Sequence, residues 1–441
     1  MYKVFFITFG CKVNQYETEC LRACFEKRGF ACAENESEAD IFVINSCTVT
    51  GSGDSKSLYA VRRLRRSFHD SLIVLTGCLP QSAPQISEKC PEADIITGTK
   101  NREKLPGLVM RAITEKKRIA DISEYERNDS FEDMCYEPSF TESGRTRAFV
   151  KIQDGCNQFC SYCIIPYARG RCRSKSMDSL KAEAEALAMA GYKEIVLVGI
   201  NLAFYGQEYG LRLVDAVEEC CAIDGIERVR LGSLEPEMIL NEDLLRLSSL
   251  PKFCPQFHLS LQSGSSRTLQ RMRRKYTPEE YMKLVKDIRK IFPEAAFTTD
   301  VMVGFPLETE EEFSESMKFV REVGFARIHV FQYSARKGTP AAEMPQLPKS
   351  VKSERADRMK KLGEELQKKY LCGLVGRTVP VLFERGNESD FHHGYAPDYT
   401  LIKIFKKNCE KSLRNMIFYV TIEESGHDCC FGSICDHDYK H

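Results

Sequence analysis

The chain has 441 residues, of which 43% are hydrophobic and 29% charged, and its 63 Lys and Arg residues are balanced by 63 Asp and Glu residues. This length predicts two or three domains, since domains usually have roughly 100–200 residues. No apolar run approaches the roughly 18 residues that a membrane helix needs, so no membrane partner is expected. The balanced charge neither favours nor excludes a nucleic-acid partner, so any prediction of such a partner depends on local clusters of basic residues.

The chain contains 20 cysteines, which is a high number. A secreted protein could use them in disulfides, but the start of the chain makes a poor signal peptide, because a single lysine precedes a short apolar run and the polar stretch KVNQYET follows it. A cytoplasmic protein is therefore predicted. In a reducing cytosol, the expected use of cysteines is ligation of a metal or a cluster by some and burial of the rest.

Four short apolar runs open the sequence: KVFFITF, DIFVINS, LIVLTG and DIITG. Each consists of a few β-favouring residues bounded by Gly, Asn or Ser, and helical segments such as ETECLRACFEKRG lie between them. This alternation predicts a parallel sheet of βα units over residues 1–120, and so an α/β fold. The polar stretch that follows has little pattern and is predicted to be a linker over residues 121–145.

One cysteine follows each of the first three strands, and we call Cys11, Cys47 and Cys78 the first triad. In a parallel sheet these carboxyl ends open on the same crevice, so residues distant in the chain can converge there. Three independently buried cysteines are the alternative. The convergent arrangement is favoured because all three occupy the same position in successive βα units.

A second series of apolar runs starts at Arg147: RAFVKIQ, EIVLVG, RVRLGS, QFHLSLQ, FTTDVMVG and RIHVFQYS. Six βα units predict a partial (βα)6 barrel over residues 146–370, and barrels of this class carry their chemistry at the carboxyl ends of the strands. Small and polar residues at these ends are predicted to face a ligand, with turn formation as the alternative for some. They are Gly199, Asn201, Ser233, Glu235, Gln262 and Gly304.

Three further cysteines follow the first strand of this barrel in the stretch DGCNQFCSYC, and we call Cys156, Cys160 and Cys163 the second triad. Iron–sulfur clusters are normally held by four thiolates, and structural zinc sites also have four ligands. Three thiolates leave one iron of a four-iron cluster open to a substrate. The alternative is a zinc site completed by Cys172, although closed zinc sites usually use paired CxxC spacing.

The end of the chain has the pattern of an all-β domain. After the charged helical stretch SERADRMKKLGEELQKKYL, the runs GRTVPVLFER, GYAPDYTLIKIF and NMIFYVTIEES predict a small antiparallel β-barrel over residues 371–437. Cys429, Cys430 and Cys435, together with His427 and His437, form a possible metal site, but a frayed terminal segment is the preferred interpretation.

The spacing CxxxCxYC after the first strand of a six-unit barrel resembles the radical S-adenosylmethionine (SAM) superfamily. With both triads, the chain resembles the methylthiotransferases of that superfamily, which combine an N-terminal cluster domain, a radical SAM barrel and a C-terminal TRAM domain that binds RNA. Further matching motifs are RLGSLEP (230–236), HLSLQSGS (258–265), TDVMVGFPLETEEEF (299–313) and GYAPDY (394–399). Leu307 departs from the family pattern, which usually has Gly there.

The resemblance implies two [4Fe–4S] clusters and SAM as cofactors. The cluster on the first triad would carry an added sulfur that one SAM methylates. The cluster on the second triad, with SAM held by the strand-end residues, would yield a 5′-deoxyadenosyl radical that removes hydrogen from C2 of an adenine. The motif TFGCKVNQYETE resembles the branch that modifies N6-threonylcarbamoyladenosine at position 37 of tRNA, next to the anticodon. The implied partners are tRNA, an electron donor such as a flavodoxin or ferredoxin, and a sulfur source.

Basic clusters are predicted to contact the phosphates of this RNA, because closely spaced Arg and Lys side chains can neutralise them. The residues are Arg62, Arg65 and Arg66 on one helix, and Arg169, Arg171 and Arg173 directly after the second triad. A solvated charged face is the alternative for any single cluster. Alternative functions are methylthiolation of isopentenyladenosine in tRNA, methylthiolation of a ribosomal protein side chain, and a non-catalytic RNA-binding protein with structural zinc.

Overall fold

The structure, a computed structural model, describes residues 1–134, 146–385, 390–409 and 411–435. Residues 135–145 of the predicted linker and His437 lie outside the described residues. Three units follow one another along the chain: an α/β unit, a βα barrel and a small β-barrel. None of the described helices combines the length and the apolar character that crossing a membrane requires.

The first unit is built on a six-stranded parallel sheet with the order β2-β1-β3-β4-β5-β6. Its strands are β1 (Lys3–Thr8), β2 (Ala31–Cys32), β3 (Ile41–Ser46), β4 (Leu72–Gly77), β5 (Ile95–Thr97) and β6 (Ile119–Asp121). Its helices are α1 (Lys12–Lys27), α2 (Gly51–Ser67), α3 (Cys78–Ser82), α4 (Ile86–Lys89) and α5 (Leu105–Glu115). The four predicted strands are present, and the short edge strands β2 and β6 are additional.

Helices cover both faces of this sheet, which explains why its central strands are apolar throughout. Every residue of β3 is buried, as expected for a parallel strand covered on both sides. Phe25 of α1 and Val109 of α5 belong to the core on one face, whereas Val61 and Leu64 of α2 belong to the core on the other. The carboxyl ends of the strands therefore stay free to form a site at one edge.

The second unit contains the six predicted barrel strands, and three short strands accompany them. The strands are β7 (Arg147–Lys151), β8 (Gln153–Asp154), β9 (Arg173–Ser174), β10 (Glu194–Val198), β11 (Arg228–Leu231), β12 (Ser233–Leu234), β13 (Gln256–Leu259), β14 (Ala296–Val303) and β15 (Arg327–Gln332). The helices are α6 (Ile165–Arg169), α7 (Met177–Met189), α8 (Leu213–Ala222), α9 (Asn241–Ser248), α10 (Ser266–Arg271), α11 (Pro278–Ile291), α12 (Glu310–Val323) and α13 (Lys349–Cys372).

The barrel is an open arc of parallel strands, which confirms the predicted partial barrel. The third predicted strand divides at Gly232, so that β11 pairs with β10 and β12 pairs with β13. The arc therefore consists of the sheets β11-β10-β7 and β12-β13-β14-β15. The strands β8 and β9 form a separate antiparallel pair that brackets the loop of the second triad.

The third unit is a closed five-stranded barrel of β16 (Thr378–Phe383), β17 (Phe391–Tyr395), β18 (Leu401–Phe405), β19 (Ile417–Ser425) and β20 (Cys430–Ile434). Four of its strand pairs are antiparallel, as predicted, but β18 and β20 run parallel. The predicted fraying near Cys430 is wrong, because β20 closes the barrel and Cys430 is fully buried. The unit docks at the amino ends of the larger barrel's strands, where Arg228 donates to Tyr395 O (2.7 Å) and Arg230 to Pro397 O (2.7 Å).

Candidate active site

The second triad lies in the loop bracketed by β8 and β9. Cys156 Sγ lies 3.7 Å from Nδ2, the side-chain amide nitrogen, of Asn201, which follows β10. Cys160 Sγ lies 3.5 Å from Arg274 Nη1. Burial raises the pKa of the Cys163 thiol, and the neighbouring Cys160 and Cys156 raise it further, so the three sulfur atoms lie within electrostatic reach of one another.

Gly155 allows this loop to fold back on itself. Its φ is +71°, and a Cβ at this position would lie 1.9 Å from the carbonyl oxygen of Arg171. A side chain is therefore excluded on two counts, the left-handed backbone and the close approach. The tight turn lets the Cys156 N–H donate to Gly170 O (3.1 Å), which fixes the start of the triad loop.

The structure brings the first triad together at the carboxyl edge of the parallel sheet. Gly10 has a φ of +104°, and a Cβ there would lie 2.6 Å from Cys47 Cβ, so the loop that carries Cys11 packs directly on Cys47. Burial raises the pKa of the Cys47 thiol to about 11, and Cys78 and Cys11 are among the groups that raise it. Each member of the triad thus has the other two as neighbours, although they lie more than thirty residues apart in sequence.

The donor sets fit iron–sulfur clusters better than single metal ions. Among the described residues, no three His, Cys, Asp or Glu side chains are grouped so that they could hold one metal ion. Cys172, the proposed fourth zinc ligand, directs its thiol to Gly155 O at 3.8 Å. Three soft thiolates are the donor set of a cluster that keeps one iron free of protein ligands.

The second triad also has neighbours that fit an amino acid bound to such an iron. Asn201 is 3% exposed, and its Oδ1 is buried without a hydrogen-bond partner among the described residues. Glu235 forms an ion pair with Arg274, and burial raises the pKa of its carboxyl despite that cation. The unpaired Oδ1 of Asn201 and the carboxylate of Glu235 could accept hydrogen bonds from the amino group and the hydroxyls of SAM. For both residues, contact with SAM stays a prediction.

The other predicted ligand-facing residues have mainly structural contacts. Gly199 lies against Gln153, and a Cβ added to the glycine would lie 3.0 Å from that side chain. Gln262 has a φ of +62° and pairs with the backbone of β14. Gly304 donates to Glu308 Oε2 (2.8 Å) and lies against α13. Ser233 is exposed at the start of β12. Close packing explains the two glycines, and contact with a cofactor stays a prediction for all four residues.

A buried network of charged groups joins the two units between the triads. Arg169 of α6, which is fully buried, donates to Glu17 Oε1 (2.8 Å), Asn14 Oδ1 (2.7 Å) and Asp154 Oδ1 (3.1 Å). Burial raises the pKa of the Cys78 thiol, and the charge of Arg169 opposes that rise. One guanidinium on the second triad's segment therefore lies within electrostatic reach of the first triad.

Further cations complete the network. Glu17 also accepts from Arg102 Nη1 (2.5 Å) and Lys151 Nζ (3.0 Å). Burial alone would raise the pKa of Asp154, but the charges of Lys151, Arg169 and Arg173 hold it well below its usual range. Sequence reasoning missed Glu17, although one signal was available, since it lies between Val13 and Leu21 in the buried i, i+4, i+8 stripe of α1.

The structure corrects the prediction of phosphate contacts for three arginines. Arg169 is fully buried and Arg173 is 6% exposed, and both are bonded to Asp154, so neither reaches solvent. Arg65 is committed to an ion pair with Asp94 and to backbone carbonyls at the amino edge of the sheet, away from the first triad. Sequence could not show this, because a run such as RGRCRSK is compatible with a solvated face and with a buried network.

The remaining predicted arginines are exposed. Arg62 and Arg66 lie near the end of α2, where Arg62 is 3.5 Å from Glu92. Arg171 lies over the ring of Phe159 at 4.8 Å, beside the second triad. Phosphate contact stays a prediction for these three. The ring of Tyr162, which lies between two cysteines of the second triad in sequence, packs edge-on against Phe305.

Comparison with known proteins gives consistent matches for the first two units. Residues 150–320 match the model of the radical SAM superfamily, and residues 3–98 match uncharacterized protein family UPF0004. The chain is 39% identical over 426 residues to the threonylcarbamoyladenosine tRNA methylthiotransferase MtaB of Bacillus subtilis, which covers 95% of this chain and 93% of that protein.

A second relative has a different named product. The tRNA-2-methylthio-N(6)-dimethylallyladenosine synthase of Caldicellulosiruptor saccharolyticus is 39% identical over 389 residues, which covers 86% of this chain and 81% of that protein. Among solved structures, the radical SAM methyltransferase TsrM from Kitasatospora setae, with cobalamin and a [4Fe-4S] cluster bound, has a TM-score of 0.59 at 15% identity and covers 78% of this chain and 77% of that one. At this identity the likeness shows the fold alone.

Proposed function

Because the chain belongs to the radical SAM tRNA methylthiotransferases, we propose that it inserts a methylthio group at C2 of N6-threonylcarbamoyladenosine at position 37 of tRNA. The family fixes the reaction class, a tRNA substrate and the need for a reductant. The choice of base is supported by the Bacillus subtilis relative, which is matched over nearly the whole chain, and by the motif TFGCKVNQYETE. A flavodoxin or ferredoxin as electron donor and a separate sulfur source complete the proposal.

The pairing of two three-cysteine sets carries this proposal. The first triad lies at the carboxyl edge of the sheet in the first unit, and the second follows the first strand of the barrel. The charge of Arg169 reaches from the segment of one triad to a cysteine of the other. Two adjacent clusters with unsaturated irons are what a reaction needs when it uses SAM both as a methyl donor and as a radical source.

The chemistry of the substrate favours this class of site over ordinary acid–base catalysis. The hydrogen at C2 of adenine is not acidic, so a general base at any attainable side-chain pKa would not remove it. When bound, the clusters and SAM supply the one-electron chemistry, the sulfur and the methyl group. The chain's own residues hold and shield them: Asn201 and Arg274 contact the thiols of the second triad, and the network around Glu17 excludes water between the units.

The cluster content is tested by anaerobic purification followed by iron analysis and absorbance spectroscopy. We expect a brown protein with about eight irons per chain, assuming two four-iron clusters. A colourless protein that holds zinc would contradict every enzymatic interpretation and would favour the non-catalytic RNA-binding alternative.

The substrate is tested by mass spectrometry of tRNA nucleosides from a strain that lacks the protein. We expect the methylthio derivative of threonylcarbamoyladenosine to disappear and its unmodified precursor to accumulate. Expression of the wild-type chain should restore the product, whereas a Cys156→Ala variant should not. Loss of the methylthio derivative of isopentenyladenosine instead would show that the alternative substrate is the correct one.

A further inference from the structure

The lumen of the larger barrel is lined by charged and polar side chains. Alternate residues of a strand point to opposite faces, and on β7 the residues Ala148 and Val150 belong to the core beneath the helices. The intervening Arg147 and Phe149 therefore face the lumen. The same alternation on the other strands adds further lumen-facing side chains: Glu194, Arg230, His258, Asp300 and His329.

Lys12 of the first unit reaches into this lumen. Its ammonium lies 5.8 Å from the ring centre of Phe149 and 5.6 Å from that of Tyr399 in the small β-barrel. The next residue, Val13, packs with Val196 of β10. The charge of Lys12 also acts on His329 from the far side of the arc. Lys12 is thus a cation held between aromatic rings, at the meeting point of all three units.

The cations around Lys12 have carboxylate partners, but Lys12 has none. Arg230 is paired with Glu194 (2.9 Å), and Arg147 is paired with Glu384 (2.6 Å). Among the residues that the structure describes, no Asp or Glu forms an ion pair with Lys12. The carboxylate of Glu194 acts on Lys12 from a distance but is paired with Arg230, so an anionic group that enters the lumen would offset the desolvation of the Lys12 ammonium.

The opposite wall of the lumen narrows the choice of anion. His258 and Asp300 contact each other there, with 3.5 Å between Nε2 and Oδ2. A phosphate dianion, with two negative charges, would be repelled by the Asp300 carboxylate more strongly than a single carboxylate would. The site therefore suits one monovalent anion carried at the end of a substituent.

We propose that Lys12 binds the carboxylate of the threonyl group on the substrate adenine. This inference rests on the proposed function, under which N6 of adenine carries a threonylcarbamoyl substituent that ends in a carboxylate. An isopentenyl substituent has no charge and leaves Lys12 unpaired, so Lys12 discriminates between the two bases. Lys12 directly follows Cys11 in the chain, so the residue that binds the carboxylate belongs to the same segment as the first triad.

The test compares two short anticodon stem-loop RNAs that differ in one group. One carries threonylcarbamoyladenosine, and the other carries its uncharged threonine-amide analogue. Binding of each RNA to the iron-loaded full chain is measured at one fixed salt concentration, since phosphate contacts make affinity strongly salt-dependent. We expect the wild-type chain to prefer the carboxylate form by about 10- to 100-fold, the range for a hydrogen bond to a charged group.

Two variants decide the role of Lys12. In Lys12→Met the preference should fall to about one, with the affinity for the amide RNA unchanged, whereas Lys12→Arg should keep a preference because it keeps the charge. Equal iron content in the three proteins excludes loss of the neighbouring cluster as the cause. A Lys12→Met protein that still prefers the carboxylate form overturns the inference.

The outcome of a turnover assay with the threonylcarbamoyladenosine stem-loop separates this inference from the proposed function. If the wild-type chain methylthiolates that RNA and Lys12→Met keeps its preference, only the assignment of Lys12 is wrong. If the wild-type chain neither prefers nor methylthiolates that RNA, the proposed substrate is wrong and the inference falls with it.

Discussion

Substitution of Glu17 by Gln is expected to loosen the interface between the first unit and the barrel. Glu17 accepts from three cations: Arg102 at 2.5 Å, Lys151 at 3.0 Å, and Arg169 at 2.8 and 2.9 Å. Glutamine has nearly the same shape and keeps one oxygen acceptor, but it removes the charge. Lys151 and Arg169 then keep Asp154 as a partner, whereas Arg102 loses its ion pair and keeps only the more distant carboxylate of Glu132. Removing one partner of a buried ion pair costs about 3–5 kcal/mol.

That cost converts to an increase of about 100- to 5,000-fold in the equilibrium for local opening. Hydrogen exchange measured by mass spectrometry reports such openings segment by segment. The amides of α1 should exchange faster in Glu17→Gln by that factor, because α1 carries Glu17 and packs against β7 and β10. Amides of α11, which lies on the far side of the barrel, should exchange at the wild-type rate.

The matched control is Glu308→Gln. Glu308 is also buried and accepts from Arg355 (2.7 Å) and from the Gly304 N–H (2.8 Å), but all three residues belong to the barrel. This variant should destabilise the barrel locally and leave α1 unchanged. Equal acceleration of α1 in both variants, or no acceleration in Glu17→Gln, would refute the idea that the network joins the two units.

Three further outcomes are expected. Leu307→Gly should raise the free energy of unfolding in urea by about 0.5–1 kcal/mol. Leu307 is half-exposed at a φ of +64°, a backbone conformation that costs a residue with a side chain about 1–2 kcal/mol, and the greater backbone entropy that glycine loses on folding offsets part of this gain. An unchanged urea midpoint would contradict this prediction. Neighbouring cations hold the pKa of Asp154 below its usual range despite burial, so its stabilisation is complete above about pH 4 and is lost on further acidification. The difference in unfolding free energy between wild type and Asp154→Asn should therefore be constant from about pH 8 to pH 5 and shrink below about pH 4. Replacing Cys156, Cys160 and Cys163 together by alanine should leave about four irons per chain, and an iron-free product would show that the first triad holds no cluster alone.

The fold could be predicted from the sequence largely because strand direction fixes where chain ends meet. The apolar runs indicate the strands, and their alternation with helices requires the strands to be parallel. It follows that residues just after successive strands share one edge, which is why the order of elements along the chain is enough to group Cys11, Cys47 and Cys78. The parallel pairing of β18 with β20 was not predictable in this way, because short strands in a closed barrel can be ordered in several ways.

The buried charges were not predictable by the same route. Arg169 and Arg173 have the local sequence of a solvated basic segment, yet Arg169 is buried against Glu17, which is about 150 residues away in the chain, and Arg173 against Asp154 and Tyr125. Charge patterns along the sequence show which groups are present but not which carboxylate each cation meets. The surroundings of Lys12 were not predictable either, since a lysine at the start of a polar helix gave no sign that three units would enclose it.

The position of the network also determines which side of the barrel is accessible. The first unit covers the lumen beside β7, where the Glu17 network and the contact of Val13 with Val196 hold it in place. The small β-barrel covers the amino ends of the strands through Arg228 and Arg230. On the opposite edge, β15 packs Ile328 and Val330 beneath α13, but its alternate residue Phe331 remains 42% exposed. The β15 edge is therefore a side of the lumen that neither of these two contacts covers, and closing the interface around Glu17 does not obstruct it.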